Sequence, residues 1–193
     1  MKITNLRARK AFWKSHYSCM GLSPVMPYDG FGWRQLVAKH DVLEVGPGGG
    51  RQFDLVAPIA ASMAVADIVP EVLAMPRYAD AQRYLLKQYS IPRREGYDVV
   101  MCSYVLHHVL KKEGPAFVQM LADVLRIGGT LLLNAPDDEL PENDKPKNAR
   151  EQGIRCTGWS NAELAVLFAG AGLNVRCSED LAVYNVVYVL NKL

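Results

Sequence analysis

The run VLEVGPGGGR at residues 42–51 constrains this chain more than any other segment does. Val42, Leu43 and Val45 form a short apolar, largely β-branched stretch that reads as a buried parallel strand. Gly46, Gly48, Gly49 and Gly50 follow it closely. Glycine accepts positive φ and leaves no Cβ in the way, so a backbone turn here can pass directly under a ligand. A strand, a glycine turn and then a helix form the unit with which α/β sheets bind nucleotides, at the carboxyl end of the first strand.

The spacing of the glycines separates the candidates. Gly46 and Gly48 fill the first two places of the Gly-x-Gly-x-x-Gly/Ala dinucleotide fingerprint, but Arg51 stands at the third. No Lys-Ser or Lys-Thr pair follows, which excludes a P-loop. The pattern that fits is Glu44-x-Gly46-x-Gly48-x-Gly50. It resembles the first motif of the class I S-adenosylmethionine (SAM) methyltransferases. That resemblance implies a turn whose glycine backbone lies against the amino-acid part of the cofactor, with Glu44, Gly46, Gly48 and Gly50 as cofactor-binding positions. SAM carries no phosphate, so a site without a basic clamp is chemically sensible.

Half of the 193 residues are hydrophobic, enough for one domain with a substantial core. A net charge of +2 gives no reason to expect a nucleic-acid or membrane partner. Cys19, Cys102, Cys156 and Cys177 are scattered without a Cys-x-x-Cys pair, so no metal site is expected, and reduced thiols in a cytoplasmic protein are. No apolar run approaches the roughly 18–20 residues of a membrane span. The basic N-terminus (Lys2, Arg7, Arg9, Lys10, Lys14) is not followed by the hydrophobic stretch of a secretory signal.

Along the chain, Ile3, Leu6, Trp13 and Tyr17 predict a helix over 3–17, and Gly21, Pro24, Pro27 and Gly30 predict a loop over 18–30. A short helix at 31–39 leads into the strand at 41–45. Phe53, Leu55, Val56 and Ile59 support a helix after the glycine turn. Strands are expected at 62–68, 83–88, 97–103 and 130–135, with a short helix from Pro70 and another over 114–126 that stops at Gly128-Gly129. The charged, proline-bearing segment 136–153 reads as a long mobile loop. Ser160 or Asn161 caps a helix to about 169, and the runs 174–181 and 184–191 lie too close together for a crossover, so they pair antiparallel.

Asp67 falls at the end of the second strand, where a carboxylate accepts both ribose hydroxyls of a nucleoside seated over the first. ADIVPEVL (66–73) resembles the family's second motif, which assigns Ile68 to packing on the adenine. The family holds the adenine amine with an aspartate after the third strand. Gln88 stands there, beside Tyr89, and a glutamine carbonyl is a neutral, weaker acceptor. GYDVVMCSYVLHHV (96–109) resembles the fourth motif and implies that Cys102, Ser103 and Tyr104 line the floor beside the methionine part. His107 and His108 follow; one is a candidate general base, since imidazole titrates near neutrality, and packing or capping roles are the competing account. LRIGGTLLLNAP (125–136) and GWSNAELAVLFAGAGLNV (158–175) resemble later motifs, with Trp159 as core or pocket wall.

These five blocks, in order over about 40–190, identify the chain as a class I methyltransferase of the small-molecule kind. The resemblance implies a Rossmann-like three-layer sandwich: a seven-stranded, mostly parallel sheet with a C-terminal antiparallel hairpin. The expected organisation is one domain over 1–193, with an N-terminal lid or helix at 1–30 and a cofactor-binding core at 40–193. The expected activity is methyl transfer from SAM to an oxygen, nitrogen or carbon nucleophile of a small molecule, leaving S-adenosylhomocysteine (SAH), without a metal. An RNA or protein methyltransferase and a non-catalytic SAM-binding sensor or partner subunit are the alternatives. The acceptor and the oligomeric state are not written in these motifs.

Overall fold

The computed structural model describes Lys10, Ala11, Trp13, Lys14 and residues 28–87, 89–92, 96–136, 157–181 and 185–193. Within these, the first strand, β1, covers Asp41–Val45 and is buried on both faces, as its apolar run requires. Further strands follow at Ser62–Asp67 (β2), Gln82–Leu85 (β3), Tyr97–Cys102 (β4), Leu125–Pro136 (β5), Leu173–Leu181 (β6) and Asn185–Lys192 (β7). They form one seven-stranded sheet in the order β3-β2-β1-β4-β5-β7-β6. The first five pair in parallel, and β7 runs antiparallel to both of its neighbours. The chain order reverses between β1 and β4, and at such a switch point a crevice opens above the strand ends.

The alternation of β1 feeds two layers. Val42 packs with Val99, Met101 and Leu132 on one side, joined by Trp33 and Val37 of a short helix α1 (Trp33–Val37). Leu43 and Val45 face the other side, where α4 (Gly114–Asp123) contributes Phe117, Val118 and Leu121, and α5 (Asn161–Gly170) contributes Leu164 and Phe168. Two more short helices, α2 (Arg51–Val56) and α3 (Pro70–Leu73), follow β1 and β2. Ser160 caps α5 as half of a capping box. Its hydroxyl accepts from the Glu163 amide at 3.3 Å, and the Glu163 carboxylate accepts from the Ser160 amide at 2.9 Å.

Four details depart from the sequence reading. The helix expected to run to Gly128-Gly129 ends at Asp123, because Leu125 already pairs with Tyr97 as the start of β5. The register then shifts before Thr130 meets Val99, and Gly128, at φ +74°, sits within the irregular stretch. Leu55, one of the apolar residues taken to support α2, is 41% exposed, since a six-residue helix buries only Phe53 and Val56. The third strand ends at Leu85 instead of 88, and Asp29 and Gly30, expected as loop, join Phe31 in a 3-10 turn. Most of the helix expected at 3–17, the loop at 18–27 and nearly all of the 136–153 segment lie outside the described residues, though Lys10, Ala11, Trp13 and Lys14 are helical. Among the described residues no helix is long and apolar enough to cross a membrane.

Candidate functional site

A cleft of roughly 780 Å³, open to solvent, lies above the carboxyl ends of β1, β2 and β4. Its floor is the backbone of Gly46 and Gly48, both at positive φ. The Gly46 amide donates to the Ala66 carbonyl at 2.8 Å, which ties the turn to the end of β2. A Cβ on Gly46 would run into the Val105 side chain, so the turn and the segment that follows β4 meet in one close approach at the cleft. Gly50 has a different task. It does not line the cleft; a Cβ there would strike the Arg77 side chain and come within 2.8 Å of the Tyr78 hydroxyl. That same hydroxyl donates to the Gly48 carbonyl at 3.1 Å and pins the turn from below.

Asp67 ends β2 and lines the cleft, 8% exposed, with one carboxylate oxygen accepting from the Val69 amide at 2.8 Å. Burial raises its pKa to about 6, and the amides of Val69 and Ile68 restrain the rise. Ile68, Tyr89, Ser103 and His108 line the same cleft. Gln88, the residue before Tyr89, lies outside the described residues. Tyr89 itself holds φ +54°, its ring edge-on to Phe117 and its hydroxyl donating to Glu113 at 2.9 Å.

Besides Gly50 and Glu44, two more of the sequence-derived candidates fall outside the cleft. Cys102, expected on the floor, is fully buried in the core with Val100 and Leu133. It is the last residue of β4 and its side chain joins the core layer; only the residues past the strand end, Ser103 to Val105, reach the cleft. His107 is likewise not part of the lining. Its carbonyl accepts from the Thr157 amide at 2.7 Å, while the neighbouring His108 faces the cleft with Trp13 edge-on at 4.6 Å. Trp159 belongs to the core, its indole donating to the Leu106 carbonyl at 3.3 Å.

Three contributors carry no local sequence signal. Tyr28, assigned to the N-terminal lid, is fully buried: its hydroxyl donates to the Leu132 carbonyl at 3.0 Å and lies 2.7 Å from Ser103 Oγ. Asn134, also fully buried, accepts from the Tyr104 amide at 2.5 Å and holds that residue at φ +58°. Tyr78 is the third, as described above. Their partners are distant in sequence, and no spacing rule reaches that far.

Glu44 is buried beneath the turn. Among the described residues nothing hydrogen-bonds its Oε2, and burial, reinforced by the carboxylates of Asp54 and Asp67, raises its pKa to about 8. An unfolded chain releases the protons of both acids near their ordinary values, whereas the folded protein still holds them. The folded state therefore binds more protons between about pH 4 and pH 8, and its stability falls as pH rises through that window. Thermal melts of the ligand-free protein are expected to show a declining midpoint from pH 5 to pH 8. Glu44→Gln, which cannot ionise, should flatten the decline above about pH 6; an unchanged profile would show that Glu44 titrates normally.

The fold of this cleft is a known one. A family model described as a methyltransferase domain matches residues 29–178. The chain belongs to the methyltransferase domain family. Solved structures agree with this domain in fold. One is an O-methyltransferase, NcsB1, from neocarzinostatin biosynthesis, in complex with SAH and 1,4-dihydroxy-2-naphthoic acid. It shares 20% identity at a TM-score of 0.70, with 98% of this chain and 60% of that one covered. The N-methyltransferase NodS from Bradyrhizobium japonicum WM9, in complex with SAH, shares 14% identity at a TM-score of 0.68, covering 95% of this chain and 97% of that one. A SAM-dependent methyltransferase from Clostridium acetobutylicum shares 10% identity at 0.66, over 95% and 92%. This methyltransferase domain thus spans 60% of the length of the NcsB1 structure. No curated protein matches it by sequence. Its seven-stranded, mostly parallel sheet and C-terminal antiparallel hairpin are the Rossmann-like arrangement expected from the motifs.

Proposed function

We propose that this methyltransferase domain transfers the methyl group of SAM to a small-molecule acceptor and releases SAH. One observation carries the reading: the glycine backbone after β1 and the Asp67 carboxylate from β2 meet in the same cleft of a chain that belongs to this family. The donor set suits the cofactor. No lysine or arginine is among the described residues that line the cleft, which fits a nucleoside without phosphates. Glycines at positive φ leave the floor free of side chains, and Asp67 is the carboxylate for two ribose hydroxyls.

In this reading Ile68 and Tyr89 flank the adenine, Gln88 accepts from its amine, and Gly46, Gly48 and Ser103 border the amino-acid end. Glu44 and Gly50 act beneath the turn, and Cys102 acts through packing. SAM, when bound, supplies a methyl already activated on a sulfonium, with a neutral thioether as leaving group. The protein's share is to hold the acceptor in line and keep water out, and such positioning is worth roughly 7–11 kcal/mol of barrier. Of the two histidines, His108 is the one we assign as general base, because it reaches the cleft. Trp13 against His108 supports an N-terminal lid over a single core. The acceptor is an oxygen, nitrogen or carbon nucleophile; NcsB1, with its dihydroxynaphthoic acid, shows that a related fold seats a compact aromatic molecule. The setting is cytoplasmic, in keeping with the free thiols of Cys102 and Cys177.

Calorimetry with SAM and SAH tests this. Micromolar binding is expected, about −8 kcal/mol. Asp67→Ala should cost about 1.5–3 kcal/mol of it through the lost charge-assisted hydrogen bonds. Absence of binding, or indifference to the substitution, would refute the site.

A further inference from the structure

Ser103 lines the cleft, and the proton of its hydroxyl is already committed. A phenol has one proton, and Tyr28 gives it to the Leu132 carbonyl, 3.0 Å away. Full burial raises the Tyr28 pKa well above its ordinary value, so that proton stays in place. The 2.7 Å contact between the two hydroxyls must then be made with Ser103 as donor and Tyr28 as acceptor. What Ser103 has left for the cleft is lone pairs. A freely rotating serine would offer a ligand either a donor or an acceptor; this one offers an acceptor only.

The sheet order says which end of a ligand meets it. β1 lies between β2, which carries Asp67, and β4, which ends just before Ser103. A nucleoside gripped at its ribose from β2 and laid over the β1 turn brings its far end to β4. On the SAM reading, which this inference rests on, that end is the amino acid, and its protonated amine is a donor without an acceptor's role to play. The strained residue that follows, Tyr104, is held by Asn134, so the whole strand end is fixed from the core side.

We propose that Tyr28 is a positioning residue that, by taking the Ser103 proton, turns Ser103 into a fixed acceptor for the amine of the cofactor's amino-acid end. Tyr28 never touches the ligand. It works through the serine, from a point 75 residues earlier in the chain.

The test compares binding of SAH with binding of its analogue lacking only the amino group. The wild-type protein should prefer SAH. Tyr28→Phe should lower SAH affinity about tenfold and leave the analogue's affinity unchanged. Ser103→Ala, which removes the acceptor itself, should show a selective loss at least as large, and the double variant should be no worse than Ser103→Ala alone, since Tyr28 acts only through Ser103. If both ligands weaken together, or neither changes, Tyr28 serves packing alone and the assignment is wrong. Should Tyr28→Phe fail to fold, Ser103→Ala can still overturn the assignment: an equal effect on both ligands would show that Ser103 is not the amine's acceptor. A wild-type protein that binds no SAH would instead sink the cofactor reading, and this assignment with it.

Discussion

Replacing Gly46 by valine is expected to abolish SAM and SAH binding and to cost the fold several kcal/mol. Two physical terms add. Gly46 holds φ +72°, a region in which an L side chain is strained by about 1–2 kcal/mol. The new Cβ also collides with Val105, and overpacking of this kind costs about 1–3 kcal/mol more. The remaining methyls project over the floor where the cofactor's amino-acid part is proposed to rest. Gly46→Ala should show the same effects in milder form, and pairing it with Val105→Ala should recover part of the stability, because the collision is relieved and the strain is not. Denaturant melts and calorimetry read the two losses separately. Retention of wild-type affinity in Gly46→Val would place the ligand somewhere other than this turn.

The second large effect is expected at His108. Once an acceptor has been found by following transfer of a labelled methyl group to small oxygen and nitrogen nucleophiles, His108→Ala should lower kcat by about 10²–10⁴. The Kd for SAH should stay within a factor of two or so, since the imidazole is proposed to act on the acceptor and not on the cofactor. His107→Ala is the control. Its ring does not line the cleft, so its turnover should remain close to wild type. A reversal of the two results would exchange the roles, and equal small losses would leave catalysis to positioning alone.

Both predictions depend on features of different legibility. The strand at 41–45 was readable because a buried parallel strand needs an unbroken apolar run, and the glycines after it mark where the run must turn. The closing antiparallel pair was readable from its connection, too short for any crossover. Asp67 and Ser103 were readable by their place just at or past strand ends, and both reach the cleft. Cys102 was misplaced for the complementary reason: one residue along a strand changes which layer a side chain enters, and the motif does not say where the strand stops. The glycine pair at 128–129 misled in a similar way, since the same residues that end a helix also relieve an irregular strand.

By itself, then, the sequence determined most of the strands, the closing hairpin and the turn on which a ligand would lie, because these follow from local periodicity, from connection length and from what glycine alone can do. The tertiary structure decided how the site is held. Tyr78 under the glycine turn, Asn134 beside Tyr104 and Tyr28 behind Ser103 are each joined to partners about 30 to 100 residues away. A buried hydroxyl or amide must find its hydrogen bond wherever the packed core brings one, and no spacing along the chain encodes that meeting.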